Sequence, residues 1–186
     1  MKNKKKFIKI AIDSPAAAGA GTLARSISKH YNLLYLDTGK IYRVLAFFKM
    51  NQKKFDKKYL EKKIRNLSLK ELQNKKLLSD EIGTQASIIA KDKHIRKLVY
   101  SFQKNCAYKP PQKYNGSCLD GRDITYKIVP DADFKFFINA NLKIRAKRRY
   151  LELKNLKKKI PYSIGLKSIK KRDKNDYNRR ISPLKK

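Results

Sequence analysis

Phe7-Ile8-Lys9-Ile10-Ala11-Ile12-Asp13 runs straight into Ser14-Pro15-Ala16-Ala17-Ala18-Gly19-Ala20-Gly21-Thr22. Its first part is short, β-branched and apolar except for Lys9, which predicts a strand ending at Asp13. Its second part is made of small residues, which let backbone N–H groups converge on an anion at a helix N-terminus. From Thr22 to Tyr31, the residues Leu23, Ile27 and Tyr31 recur at helical spacing. Strand, glycine-containing loop and helix, in that order, are the architecture of a phosphate-binding loop. Against the pattern Gly, four residues, Gly-Lys, Ser/Thr, Ser14 holds the first glycine position, Gly19 the second and Ala20 the lysine position. On the pattern alone, a plain strand-to-helix turn stays open as an alternative.

Downstream, Leu33-Leu34-Tyr35-Leu36 reads as a second strand, stopped by Asp37-Thr38-Gly39 and followed by a helix through Tyr42, Leu45, Ala46 and Lys49. Residues 51–82 are polar and Lys-rich, with a helical stretch at Lys57 to Leu67. Thr84 to Phe102 reads as helical through Ile88, Ile89, Ile95 and Val99, and Pro110-Pro111 breaks the pattern. Cys118-Leu119 leads into Asp120-Gly121-Arg122-Asp123, and Phe134-Lys135-Phe136-Phe137-Ile138 reads as a buried strand. A basic helix is expected over Leu142 to Lys159, ended by Pro161, and another from Ser163 to about Lys174. Strands alternating with helices predict a three-layer α/β/α fold around a parallel sheet. A chain of 186 residues suits one such domain.

The net charge of +33 creates a field that attracts nucleotides, RNA or acidic lipid. The 37 lysines are scattered along the chain, which speaks for a general bias rather than one binding stripe. No stretch has the length and purity of a membrane span. Lys9, Asp13 and Pro15 interrupt the apolar run that a secretory signal needs, so a cytoplasmic location is expected. Cys106 and Cys118 share no zinc-like spacing with His30 or His94, and read as free thiols in a reducing compartment.

The 11 arginines are more selective. Asp13 to Leu23 is followed by Tyr35-Leu36-Asp37-Thr38-Gly39-Lys40-Ile41-Tyr42-Arg43, then by Thr84-Gln85-Ala86-Ser87 with Arg96 nine residues on, then by Gly121-Arg122-Asp123. Asp131-Ala132-Asp133 and Arg145-Ala146-Lys147-Arg148-Arg149 come next. Last is Arg172-Asp173-Lys174-Asn175-Asp176 with Arg179 and Pro183-Leu184. Motif by motif and in the same order, the chain resembles the bacterial cytidylate kinase family of P-loop nucleoside monophosphate kinases. Arg43, Arg96, Arg122, Arg145, Arg148, Arg149, Arg172 and Arg179 fall on the family's functional positions.

The resemblance implies a single kinase domain. Its core would comprise about residues 1–37, 103–141 and 160–186, with an acceptor-binding segment at about 38–102 and a lid at about 142–159. It implies transfer of the ATP γ-phosphoryl group to CMP or dCMP, with Mg²⁺ accompanying ATP near Thr22 and no direct protein metal site. Ser14, Pro15, Ala16, Ala17, Ala18, Gly19, Ala20, Gly21 and Thr22 would bind ATP. Thr38, Tyr42, Arg43, Ser87, Arg96, Arg122, Asp123, Arg172, Asp176 and Arg179 would bind CMP. Ser87, Arg96 and Asp123 would read the base, since an Asp and an Arg complement the donor and acceptors of cytosine. Arg145, Arg148, Arg149 and Arg179 would close over the transferring group as catalytic residues. A monomer is expected, with no membrane or specific nucleic-acid partner.

Four departures qualify this. Ala20 stands for the loop lysine, Ser14 for the leading glycine, and Thr125-Tyr126 for the family's Gly-Thr. The chain stops at Lys186, so that the family's final strand and helix are expected to be missing. Losing one preorganised phosphate donor typically costs about 10²- to 10³-fold in rate, which predicts weak turnover. Two alternatives therefore stand beside the kinase: a CMP-binding relic without turnover, and a basic RNA-binding protein suggested by the charge and the 11 tyrosines.

Overall fold

The computed structural model describes residues 7–51, 56–155 and 161–186. Four parallel strands form one sheet in the order β2-β3-β1-β4. They are β1 (Ile8–Asp13), β2 (Leu34–Asp37), β3 (Gly116–Gly121) and β4 (Phe134–Phe137). The register pairs Ile10 with Cys118 and Ala11 with Leu119, while Tyr35 pairs with Cys118 and Asp37 with Asp120.

Side chains alternate across a strand, so this register separates two cores. On one face Ile10, Ile12 and Cys118 pack with Ala20, Ala24 and Leu33, which seats helix α1 (Ala20–His30). On the other, Ala11, Leu34, Leu36 and Leu119 meet Ile41, Val44 and Leu45 of helix α2 (Thr38–Asn51) and Val99 and Ala107 of helix α5 (Lys93–Tyr108). Helices on both faces of a parallel sheet give the expected three-layer α/β fold.

The intervening segment holds helices α3 (Lys57–Arg65) and α4 (Asp80–Ile89), with two short 3₁₀ turns between them. The single helix read over Thr84 to Phe102 is in fact two. The chain breaks at Ala90–Asp92 because the Asp92 carboxylate caps α5 by accepting from the Ile95 N–H (3.0 Å). Helix α6 (Leu142–Asn155) packs against helix α7 (Tyr162–Asn178), which runs one turn beyond the expected end. The end expected for α6, at Lys159, lies outside the described residues.

The expectation of a buried strand at Phe134–Ile138 is corrected. β4 pairs with β1 at the sheet edge, and Phe134 is 53% exposed. Among the described residues no helix is long and apolar enough to cross a membrane. Cys106 and Cys118 are buried, and burial pushes both thiols up, to about 11 and about 12.

Candidate active site

All four parallel strands point their C-terminal ends at one edge of the sheet, where open α/β sheets bind ligands. β1 delivers the loop Ser14–Gly19 there. Asp13, at its base, is fully buried and accepts hydrogen bonds from Ile124 N (2.9 Å), Thr125 N (2.8 Å) and Thr125 Oγ1 (2.6 Å). Burial outweighs these bonds and raises its carboxyl above the usual range. The three donors lie at the start of a π-helical turn, Ile124–Ile128, so Asp13 ties the loop to the segment after β3. Thr125, one of the departures, thus gains a partner that a glycine could not offer. Tyr126 does likewise, donating its hydroxyl to Pro183 O (2.5 Å).

The loop takes its shape at two positions with positive φ. Gly19 has φ 103° and precedes α1, while Ala17 has φ 59°. Alanine pays roughly 1–2 kcal/mol for that conformation. Ser14 does not have positive φ, so the leading position asks for no glycine; its N–H donates to Gly121 O (3.1 Å). Ala20 opens α1 with 3% exposure, against Ile10, Ile12 and Ala24. No charge enters the loop from this position.

Charge reaches the loop from α6 instead. Arg145 Nη1 donates to Ala16 O (3.1 Å), and Arg148 Nη1 to Ala18 O (2.8 Å). The two are three residues apart and share a helical face. Arg149 leaves that face: it pairs with Glu152 (2.7 Å) and donates to Leu78 O (3.4 Å), just before helix α4.

Beside the loop lies a narrow cleft lined by Thr38, Gly39, Tyr42, Ala86, Ser87, Ala90, Arg96, Gly121, Arg122, Asp123, Arg172, Asp176 and Arg179. Nine of the ten residues assigned to CMP from the sequence are among them. The tenth, Arg43, lies in the adjoining cleft with Ser87 and Arg172, and donates to Leu77 O (2.5 Å) and Ser79 O (3.1 Å). Thr38 Oγ1 is held by Asp120 O (2.8 Å). Gly121 is a glycine because a Cβ there would strike that hydroxyl and the Ile124 side chain.

Within the cleft, Arg96 Nη2 donates to Asp123 Oδ2, and Arg96 also lies 5.7 Å from the Tyr42 ring centroid. Burial pushes the Tyr42 hydroxyl up to about 12. Arg122 Nε donates to Asp176 Oδ2 (2.7 Å). Burial alone would raise the Asp176 carboxyl, but Arg122 and Arg172 hold it below its usual value. Arg172 is pulled down to about 10, first by burial and then by Arg122, with Arg43 and Arg149 adding to the repulsion. Arg179 Nη2 is buried with no hydrogen-bond partner among the described residues. The wall therefore carries more positive charge than Asp176 and Asp123 neutralise, as an anion site requires.

Three carboxylates were not singled out from the sequence. Asp37 and Asp120 are register partners at the ends of β2 and β3, beneath the loop. Asp120 Oδ2 lies 3.3 Å from the position a Cβ would take on Gly21, and its Oδ1 is buried without a partner among the described residues. Burial, with Asp37 beside it, lifts its carboxyl to about 8. The signal was available: each aspartate closes an apolar strand. Asp173, the third, sits next to Arg172 and binds Arg145.

Comparison with known proteins agrees with this geometry. The family model for cytidylate kinase matches residues 10–186. Cytidylate kinase of Bartonella tribocorum is 44% identical over 178 residues, covering 95% of this chain and 81% of that protein. The enzymes of that name from Rhodopseudomonas palustris and Clostridium tetani are 39% and 38% identical, again over 95% of this chain and 82% and 81% of theirs. With its motifs gathered at one edge of the sheet and a match over nearly its whole length, the chain belongs to the cytidylate kinase family.

Proposed function

We propose that this chain transfers the γ-phosphoryl group of ATP to the phosphate of CMP or dCMP. The observation that carries the reading is the excess of arginine in the cleft, where Arg122, Arg172 and Arg179 surround one carboxylate next to the Arg96–Asp123 pair. A nucleoside monophosphate matches both halves: its phosphate meets the arginines and its base meets the pair.

In this reading a phosphate oxygen of CMP attacks the γ-phosphorus in line, the bond to the β–γ bridging oxygen breaks, and ADP leaves. The acceptor oxygen is already anionic, so the protein's work is positioning and neutralising charge. The loop amides of Ser14–Thr22 hold the β-phosphate, Arg43 and Arg122 orient the acceptor phosphate, and Arg148 and Arg179 offset charge on the moving group. Residues 38–102 act as the acceptor segment and 142–159 as the lid that excludes water.

Mg²⁺ bound with ATP would neutralise part of the triphosphate charge. The residues fit it: Asp37 and Asp120 are paired hard-oxygen donors, Asp120 having a buried oxygen without a partner among the described residues, and Thr22 adds a hydroxyl at the start of α1.

Ala20 favours one second reading, a protein that holds CMP with little turnover. Calorimetric titration separates the questions of binding and chemistry. CMP should bind without ATP, Arg172→Gln should weaken it at least about tenfold, and RNA should not displace it. CMP affinity unaffected by Arg172→Gln would remove the assigned site.

A further inference from the structure

By family position Arg145 is a phosphate ligand, yet its guanidinium is already engaged by the protein. The residue is 6% exposed. Nε donates to Ala140 O (2.8 Å), Nη1 to Ala16 O (3.1 Å) and Asp173 Oδ1 (2.9 Å), and Nη2 to Asp173 Oδ2 (2.5 Å). A guanidinium has about five N–H groups, so one is left. These bonds join three parts of the molecule: α6 through Arg145, α7 through Asp173, and the phosphate loop through Ala16. Arg148, one turn along, is the contrast. It is exposed, makes one hydrogen bond among the described residues, to Ala18 O, and places Nη1 3.3 Å from where a Cβ on Gly19 would lie. Arg148 can swing to a phosphate at little cost. Arg145 cannot do so without abandoning a buried bidentate carboxylate, which would leave Asp173 uncompensated.

We propose that Arg145 is a positioning residue: with Asp173 it forms a buried strut between α6 and α7 that holds the phosphate loop by the Ala16 carbonyl. The next residue, Ala17, sits at φ 59°, where alanine rarely rests, so the loop needs support from outside itself. The strut supplies it and fixes the direction of the loop amides. The inference rests on the phosphate-loop reading above and assigns Arg145 a different role within it.

The test compares the parent chain with Arg145→Gln, Asp173→Asn and the double variant, using hydrogen exchange at the amides of residues 16–21 and calorimetry with ADP. For a strut, either single substitution speeds loop exchange and weakens ADP by roughly tenfold, and the double variant is no worse than either. CMP affinity, an index of the remaining fold, stays within about twofold in all of them. Were Arg145 a phosphate ligand, Asp173→Asn would release it: ADP would then bind as tightly as before or more tightly, and the proposal would be overturned. A parent that binds no ADP, combined with faster loop exchange in both single variants, refutes the kinase reading and upholds the strut. Should Asp173→Asn lose CMP as well, Asp173→Glu, which keeps the charge, decides: slower loop exchange than in Asp173→Asn supports the strut, and equal exchange overturns it.

Discussion

Arg96 on α5 and Asp123, two residues past the end of β3, form an ion pair whose side chains are only 9% and 7% exposed. Arg96 is held further by Ala90 O (3.2 Å), the residue at which the α4–α5 region breaks. The break in the helix therefore shapes the Arg96–Asp123 end of the cleft. Removing one member of a buried pair leaves the other charge uncompensated, at about 3–5 kcal/mol. Asp123→Ala is expected to lower the thermal midpoint, and Arg96→Met/Asp123→Leu to lower it less than either charge removed alone. Thermal unfolding checks this; a double variant less stable than both singles would contradict it.

Ala17 offers the opposite sign. Its left-handed backbone is one that glycine adopts freely, so Ala17→Gly is expected to stabilise the protein by about 1 kcal/mol. Urea unfolding midpoints read the change. A loss of stability would show that the strain is repaid by contacts of the methyl group.

Asp120 gives the structure a pH signature. Its folded carboxyl is raised from 3.8 to about 8 by burial and by Asp37, so ionising it opposes folding. The penalty is absent below about pH 4, grows as pH rises through that window, and is complete above about pH 8. Asp120→Asn removes it, and should raise the melting temperature at pH 8 while leaving it unchanged near pH 4. Mg²⁺ at pH 8 should stabilise the parent more than the variant. Equal responses of the two proteins to Mg²⁺ would argue against Asp120 as a metal partner.

Much of this was legible in the sequence. The alternation at Ile10-Ala11-Ile12 and the small-residue turn beyond Asp13 were enough for the strand, loop and helix, because both periodicities are local. The break at Ala90–Asp92 was hidden, since Ile82, Ala86 and Ile89 and then Ile95 and Val99 keep helical spacing across it; only Asp92 marked a cap. Phe134–Phe137 is apolar enough for a core strand, but strand order decides burial, and β4 lies at an edge. The roles of Asp13, Asp37, Asp120 and Asp173 depend on register and on residues up to 112 positions away, which no local pattern carries. The same holds for Arg145, whose family position names the residue and whose partners only the fold reveals.

In the proposed reaction the cleft presents CMP to a nucleotide on the loop Ser14–Thr22. Formation of CDP from ATP and CMP, followed in this chain and in Ala20→Lys, tests it most directly. CMP-dependent CDP formation is expected to be slow in the parent and to rise by about 10²- to 10³-fold with the lysine. No CDP from either protein, in preparations that bind CMP, would contradict it.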